Sequence, residues 1–156
     1  RFFTVYGPWG RPDMAPILFT KAILSNNPIK VFNNGNMYRD FTYINDIVES
    51  IFRLINIPPN SNLNWKQNTS NLYSSSAPYQ IFNIGNSTPI KLIDFIKSIE
   101  DELGVKALKN FLPIQPGDVQ STHSDSSLLK NYIKFKPQTD LINGMKEFII
   151  WYKEYY

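Results

Sequence analysis

Two arginines carry the most chemical promise in this chain of 156 residues. Arg39 sits in Arg39-Asp40-Phe41-Thr42-Tyr43, flanked by aromatics on a segment that reads as extended. Arg11 lies in the loop Pro8-Trp9-Gly10-Arg11-Pro12-Asp13, just past the end of a strand. In open α/β sheets, ligands gather at the carboxyl ends of strands. A guanidinium is a planar fork that can hold phosphate or carboxylate through two bonds at once. A structural Arg–Asp pair, with Asp40 or Asp118, accounts for the same residues, and spacing alone does not choose between the two readings. His123, set among Ser121, Thr122, Ser124 and Asp125, reads as a histidine in a polar turn rather than a general base. Glu100, Asp101 and Glu102 read as the solvated face of a helix.

Other chemistries are excluded or weak. There is no cysteine and one histidine, so thiol catalysis, disulfides and Cys- or His-rich metal sites are out. No G-x-x-x-x-G-K-[ST], H-E-x-x-H or G-x-G-x-x-G motif occurs. Aromatics make up 15% of the chain, which raises base stacking as an option. Lys and Arg do not cluster around them, and the net charge is only +3, so no nucleic-acid partner is expected. No apolar run approaches the ~18 residues of a membrane span, and no membrane partner is expected. The lack of cysteine is compatible with a cytoplasmic protein.

These residues need elements to place them. Arg1 to Gly7 reads as a strand, and a chain that opens inside a buried-looking strand is expected to continue upstream. Ala15 to Ser25 reads as a helix with Pro16 in its first turn. Ile29 to Phe32 reads as a strand, and Asn33 to Asn36 as a turn in which Gly35 takes a positive φ. Arg39 to Tyr43 should be extended and lead into a helix over 46–55, with Ile47, Ile51, Leu54 and Ile55 on one face. Residues 58–78 form a polar Asn/Ser-rich loop, the best candidate for a flexible segment. Ile81 to Gly85 reads as a central strand, followed by a helix start at Thr88-Pro89. Leu92, Ile96, Ile99 and Leu103 fall at helical spacing, closed by Gly104. Phe111 to Ile114 should be extended. Helices over 126–132 and 141–155 follow, the last with a stripe of Ile142, Met145, Phe148 and Tyr152. The alternation makes the class α/β. Only two strands look central, too few for a self-standing parallel sheet.

Five blocks then resemble a known family, in order and across essentially the whole chain. They are RFFTVYGPWGRPDM (1–14), RDFTYINDIV (39–48), SSAPYQIFNIGNSTPI (75–90), LPIQPGDV (112–119) and FKPQT (135–139). They resemble the C-terminal half of UDP-glucuronate 4-epimerases, NAD-dependent enzymes of the extended short-chain dehydrogenase/reductase superfamily. The resemblance implies that residues 1–156 are the C-terminal, sugar-nucleotide-binding part of an extended Rossmann-type epimerase, without its N-terminal NAD-binding strands. It implies transient oxidation of the sugar at C4 by NAD, converting UDP-glucuronate to UDP-galacturonate. The family's glycine-rich turn, its Tyr-x-x-x-Lys base and its assisting Ser or Thr all lie upstream of the matching region. No Tyr here has a Lys four positions later in that setting, so no catalytic residue is expected in this chain.

The resemblance also implies roles for residues that are present. Phe2 and Phe3 would lie near the nicotinamide. Thr4 and Arg11 would hold the glucuronate carboxylate, and Met14 would pack near the nucleotide. Lys30, Val31 and Phe32 would flank the uracil. Arg39 would bind the diphosphate, and Asp118 the ribose hydroxyls. Gln115 stands where related UDP-galactose epimerases carry Arg, which fits the glucuronate branch. The intact parent would use NAD and form a homodimer. The chain alone is expected to be inactive, to bind no NAD and UDP-sugar only weakly or not at all, and to self-associate through surfaces such as Phe2, Phe3 and Ile81. A non-catalytic UDP-sugar-binding or self-associating module is the alternative.

Overall fold

The computed structural model describes residues 1–66 and 73–156. Its strands are short and come in pairs. β1 (Thr4–Tyr6) runs parallel to β4 (Phe41–Tyr43), with Thr4 opposite Phe41 and Tyr6 opposite Tyr43. β2 (Ile29–Val31) runs parallel to β6 (Lys109–Phe111). β3 (Tyr38–Arg39) pairs antiparallel with β5 (Ile90–Lys91). Parallel pairing needs long crossovers, and helices supply them. α1 (Ala15–Leu24) lies between β1 and β2. α2 (Ile44–Ile55) and α3 (Leu92–Leu103) lie between β4 and β6. α4 (Ser127–Ile133) and α5 (Leu141–Tyr155) close the chain.

Isolated two-stranded pairs are marginal in water, so side-chain packing must hold these in place. The larger core joins β1 and β4 to α3 and α5. Phe41 stacks on Phe95 at 3.9 Å, and Tyr6 meets both rings edge-on. Ile96, Ile99, Met145 and Phe148 are fully buried around them. A smaller core of Ile47, Phe82, Ile84, Leu129 and Ile133 sits between α2 and α4.

Several expectations change. Ile81 to Gly85 is not a central strand. It reduces to one parallel bridge, Phe2 to Ile84, with the Arg1 amino terminus donating to Phe82 O at 2.7 Å. The partner strand of β1 is β4, whose Phe41 and Tyr43 join Tyr6, Phe95 and Phe148 in one core. The helix after it begins at Leu92, not at Thr88-Pro89, because Ile90 and Lys91 are held extended against β3. Ile51 and Ile55 face solvent on α2, while Asp46, Ile47 and Ser50 are buried. On α5, Ile142 is exposed and Ile149 takes its place in the stripe. Gly35 does adopt a positive φ, with Asn33 and Asn34 left-handed beside it. Part of the expected flexible loop, residues 67–72, lies outside the described residues. Among the described residues no helix is long and apolar enough to cross a membrane.

Candidate functional site

The register of β1 against β4 sets Thr4 beside the β3–β4 segment, and the Thr4 N–H donates to Asp40 O at 3.2 Å. Side chains alternate along an extended segment, so Arg39 and Asp40 point to opposite faces. Asp40 is fully buried, whereas Arg39 reaches the surface of a hollow of about 680 Å³. That volume is in the range of small-molecule sites. Its apolar lining includes Leu18, Phe19 and Ala22 of α1 with Met37 and Phe41. Polar groups line it too, among them Thr4, Lys30, Arg39, Gln115 and Asp118.

Arg39 is held by three bonds. Nη1 donates to Tyr38 O at 2.9 Å and to Gln120 O at 3.3 Å, and Nη2 donates to Asp118 Oδ1 at 2.8 Å. Both ends of this ion pair are partly exposed, 18% for Arg39 and 32% for Asp118. Asp118 arrives on a turn in which Gly117 has φ 80° and the Asp118 N–H donates to Gln115 O. The segment after Asp118 is fixed to β3. Tyr38 N–H donates to Gln120 O at 2.8 Å, and Thr122 N–H to Tyr38 O at 3.1 Å. The partner of Arg39 is thus Asp118, not Asp40.

Of the residues singled out by sequence, Thr4, Met14, Lys30, Phe32, Arg39 and Asp118 line this one hollow, with Gln115. Val31, Arg11, Phe2 and Phe3 are not among its lining residues. Val31 is fully buried, and its carbonyl accepts the Leu112 N–H at 3.0 Å. Arg11 has its side chain 73% exposed and turned onto Asp13, with Nε and Nη2 at 3.1 and 2.5 Å. That hydrogen bond raises the Arg11 guanidinium above its ordinary value and holds Asp13 below the usual carboxylate range. Phe2 is 56% exposed, at the bridge to Ile84. His123 is exposed in the polar segment before α4. Glu100 overturns the solvated-face reading: it is buried and bonded to Lys109, Lys106 and the Ala107 N–H.

Sequence reasoning missed two features. The apolar wall from α1 could have been read from Leu18 and Ala22, four apart on one helix face. The buried position of Asp40 had no signal beyond the period-2 alternation with Arg39.

Residues 1–85 match the model of the NAD dependent epimerase/dehydratase family, more than half of the chain. This chain belongs to that family. It is 51% identical over 156 residues to Protein CapI of Staphylococcus aureus, covering all of this chain and 47% of that one. It is 43% identical to a probable UDP-glucuronate 4-epimerase of Rhizobium meliloti, covering all of this chain and 46% of that one. The fold matches the crystal structure of UDP-glucuronic acid 4-epimerase from Bacillus cereus in complex with UDP-glucuronic acid and NAD. The TM-score is 0.80 at 30% identity, covering all of this chain and 45% of the other. The chain therefore spans about half the length of the relatives it matches. Its architecture is that of the α/β, extended Rossmann-type epimerases.

The family name implies NAD, but the residues present do not fit it by themselves. No glycine-rich G-x-G-x-x-G turn occurs. The glycines that meet close neighbours already pack on protein: Gly144 on Tyr6, Gly85 on Ser124, Gly7 on Ile44 and Gly35 on Ile93. The Tyr-x-x-x-Lys spacing occurs once, at Tyr132 and Lys136. That pair straddles the end of α4, where Lys134 turns left-handed at φ 55°, so the two residues do not share a helix face. Tyr132 instead packs on Phe82 at 4.8 Å.

Proposed function

We propose that this chain provides the UDP-sugar-binding part of a nucleotide-sugar 4-epimerase, acting on UDP-glucuronate in the intact enzyme. The observation that carries the reading is the Arg39–Asp118 pair, 79 residues apart in sequence and 2.8 Å apart in space, both lining one hollow. Three of the five guanidinium N–H groups of Arg39 are engaged with protein. The remaining two are free to take a diphosphate oxygen. Asp118 Oδ1 accepts from Arg39 and Val119, and Oδ2 is left for the ribose hydroxyls. Lys30, Phe32 and Met14 line the same hollow, and on this reading Lys30 and Phe32 flank the uracil and Met14 packs beside the nucleotide. Thr4 faces the sugar. Arg11 reaches a glucuronate carboxylate only by leaving Asp13, one carboxylate for another. Phe2 and Phe3 would meet the nicotinamide where the rest of an intact epimerase is present. In that enzyme NAD supplies the transient oxidation at C4, and the residues of this chain bind and orient the donor. No residue here is assigned to hydride or proton transfer at the sugar.

The chain spans about half the length of the relatives it matches, and its affinity for UDP by itself is expected to be weak, roughly millimolar. An amide chemical-shift titration with UDP checks this. Shifts should cluster at Thr4, Lys30, Phe32 and Asp118, and Arg39→Ala should abolish them while leaving the rest of the spectrum in place. Shifts centred elsewhere, or unchanged by Arg39→Ala, would refute the assignment.

A further inference from the structure

Asp40 lies one residue from Arg39 and faces the opposite way, yet it is bonded to the same segment that carries Asp118. Its Oδ2 accepts from Ser124 N at 2.8 Å, from Ser124 Oγ at 2.5 Å and from Ser87 N at 3.0 Å. Its backbone N–H donates to Thr122 Oγ1 at 3.2 Å. Oδ1 has no partner. Ser124 is as buried as Asp40, and Ser126 beyond it exchanges hydrogen bonds with the Gly85 N–H and carbonyl. A buried carboxyl with an orphaned oxygen is expensive, and a well-packed apolar residue would be cheaper. What the carboxyl adds is direction: one oxygen fixes two segments, 85–87 and 122–126, to the strand that bears Arg39.

We propose that Asp40 is a positioning residue of the UDP-sugar site. It clamps the downstream end of segment 118–126 from the buried face, so that the upstream end holds Asp118 against Arg39. The carboxyl does not touch the ligand. It acts through the geometry of the Arg39–Asp118 pair, and this rests on the reading of that pair as the diphosphate and ribose site. Gly85 belongs to the same device, because a Cβ there would strike Ser124.

Two measurements on the intact chain test the proposal, one independent of ligand. The Arg39 guanidinium protons, slowed in exchange by their bonds, are followed in ¹H–¹⁵N spectra. Asp40→Asn should move them toward the position of a free arginine, as Asp118→Asn should by removing their partner. The control is Asp46→Asn. Asp46 is another buried carboxyl, whose Oδ2 accepts from Gln138 N and Thr139 N. Its loss should lower stability without moving the Arg39 signals. In the UDP titration, Asp40→Asn should weaken binding roughly tenfold in the wild-type background and less than twofold when Asp118 is already Asn, the mark of coupled sites. Should Asp40→Asn not fold, Ser124→Ala, which removes one donor and keeps the carboxyl, should give the same displacement in smaller measure. An unmoved Arg39 signal in a folded Asp40→Asn or Ser124→Ala chain overturns the proposal, as do independent effects on UDP. Failure of the wild-type chain to bind UDP counts against the function proposed above, while the Arg39 signal still decides the role of Asp40.

Discussion

Glu100 shows how much a single side chain can depend on what packs against it. It is flanked by Ile99 and Asp101 on α3, and its own exposure is near 5%. Burial pushes its carboxyl up. The hydrogen bonds from Lys109 and the Ala107 N–H, with the charge of Lys109 and the bond from Lys106, outweigh this and hold it below the usual carboxylate range. A carboxyl lowered by folding contributes stability that is present above its unfolded value and is lost as pH falls through the folded one. Acidification through the carboxylate range should therefore weaken the fold. Glu100→Gln should cost roughly 1–3 kcal/mol near neutral pH and flatten that acid dependence. Urea denaturation at several pH values reads both, and parallel pH profiles for the two proteins would contradict the assignment. Asp101, next in sequence, pairs with Lys97 in solvent, and little stability should follow from it.

At the level of elements, α5 and β1 are fitted to each other through one missing side chain. Gly144 sits inside a helix, where alanine would ordinarily be preferred by about 1 kcal/mol. Here a Cβ would land on the Tyr6 ring and its hydroxyl. The Tyr6 hydroxyl is buried without a hydrogen-bond partner, and burial drives its phenol well above the ordinary value. Gly144→Ala should thus destabilise by roughly 1–3 kcal/mol, despite the gain in helix propensity. Tyr6→Phe removes the orphaned oxygen and should be neutral or mildly stabilising. The double variant should recover much of the loss. Thermal melts of the four proteins complete the cycle, and strict additivity would exclude a steric clash at the hydroxyl. The helix caps follow simpler rules. Asp140 accepts the Asn143 N–H at the start of α5, and Gly104 ends α3 at φ 69°.

For the whole molecule, the balance between buried and exposed apolar surface sets the behaviour in solution. Val48, Phe52 and Ile55 lie at i, i+4 and i+7 on α2, and all three are exposed. Phe2 is exposed as well. A contiguous apolar face of this kind promotes association. Light scattering should show concentration-dependent self-association of the isolated chain, and Phe52→Asp with Ile55→Asp should return it to monomer. A wild-type chain that stays monomeric at high concentration would show that the face is tolerated in water.

The sequence alone determined most of the helices, because apolar spacing and terminal signals are local: α1 and α5 stand where periodicity, Pro16 and the 141–155 pattern put them, and α3 ends at Gly104 as expected although it starts later, at Leu92. Its motif blocks also placed the chain in the right family, but spacing along 39–43 left both Asp40 and Asp118 open as partners of Arg39. Only the tertiary structure decided that β4 pairs with β1 and that Ile81–Gly85 is reduced to a single bridge to Phe2, since strand pairing depends on which faces can be buried across long separations in sequence. Only it turned Ile51, Ile55 and Ile142 outward and Glu100 inward. The same holds for the meeting of Arg39 with Asp118, and of Asp40 with Ser124: hydrogen bonds spanning some eighty residues leave no local pattern, because their geometry exists only after the chain has closed on itself.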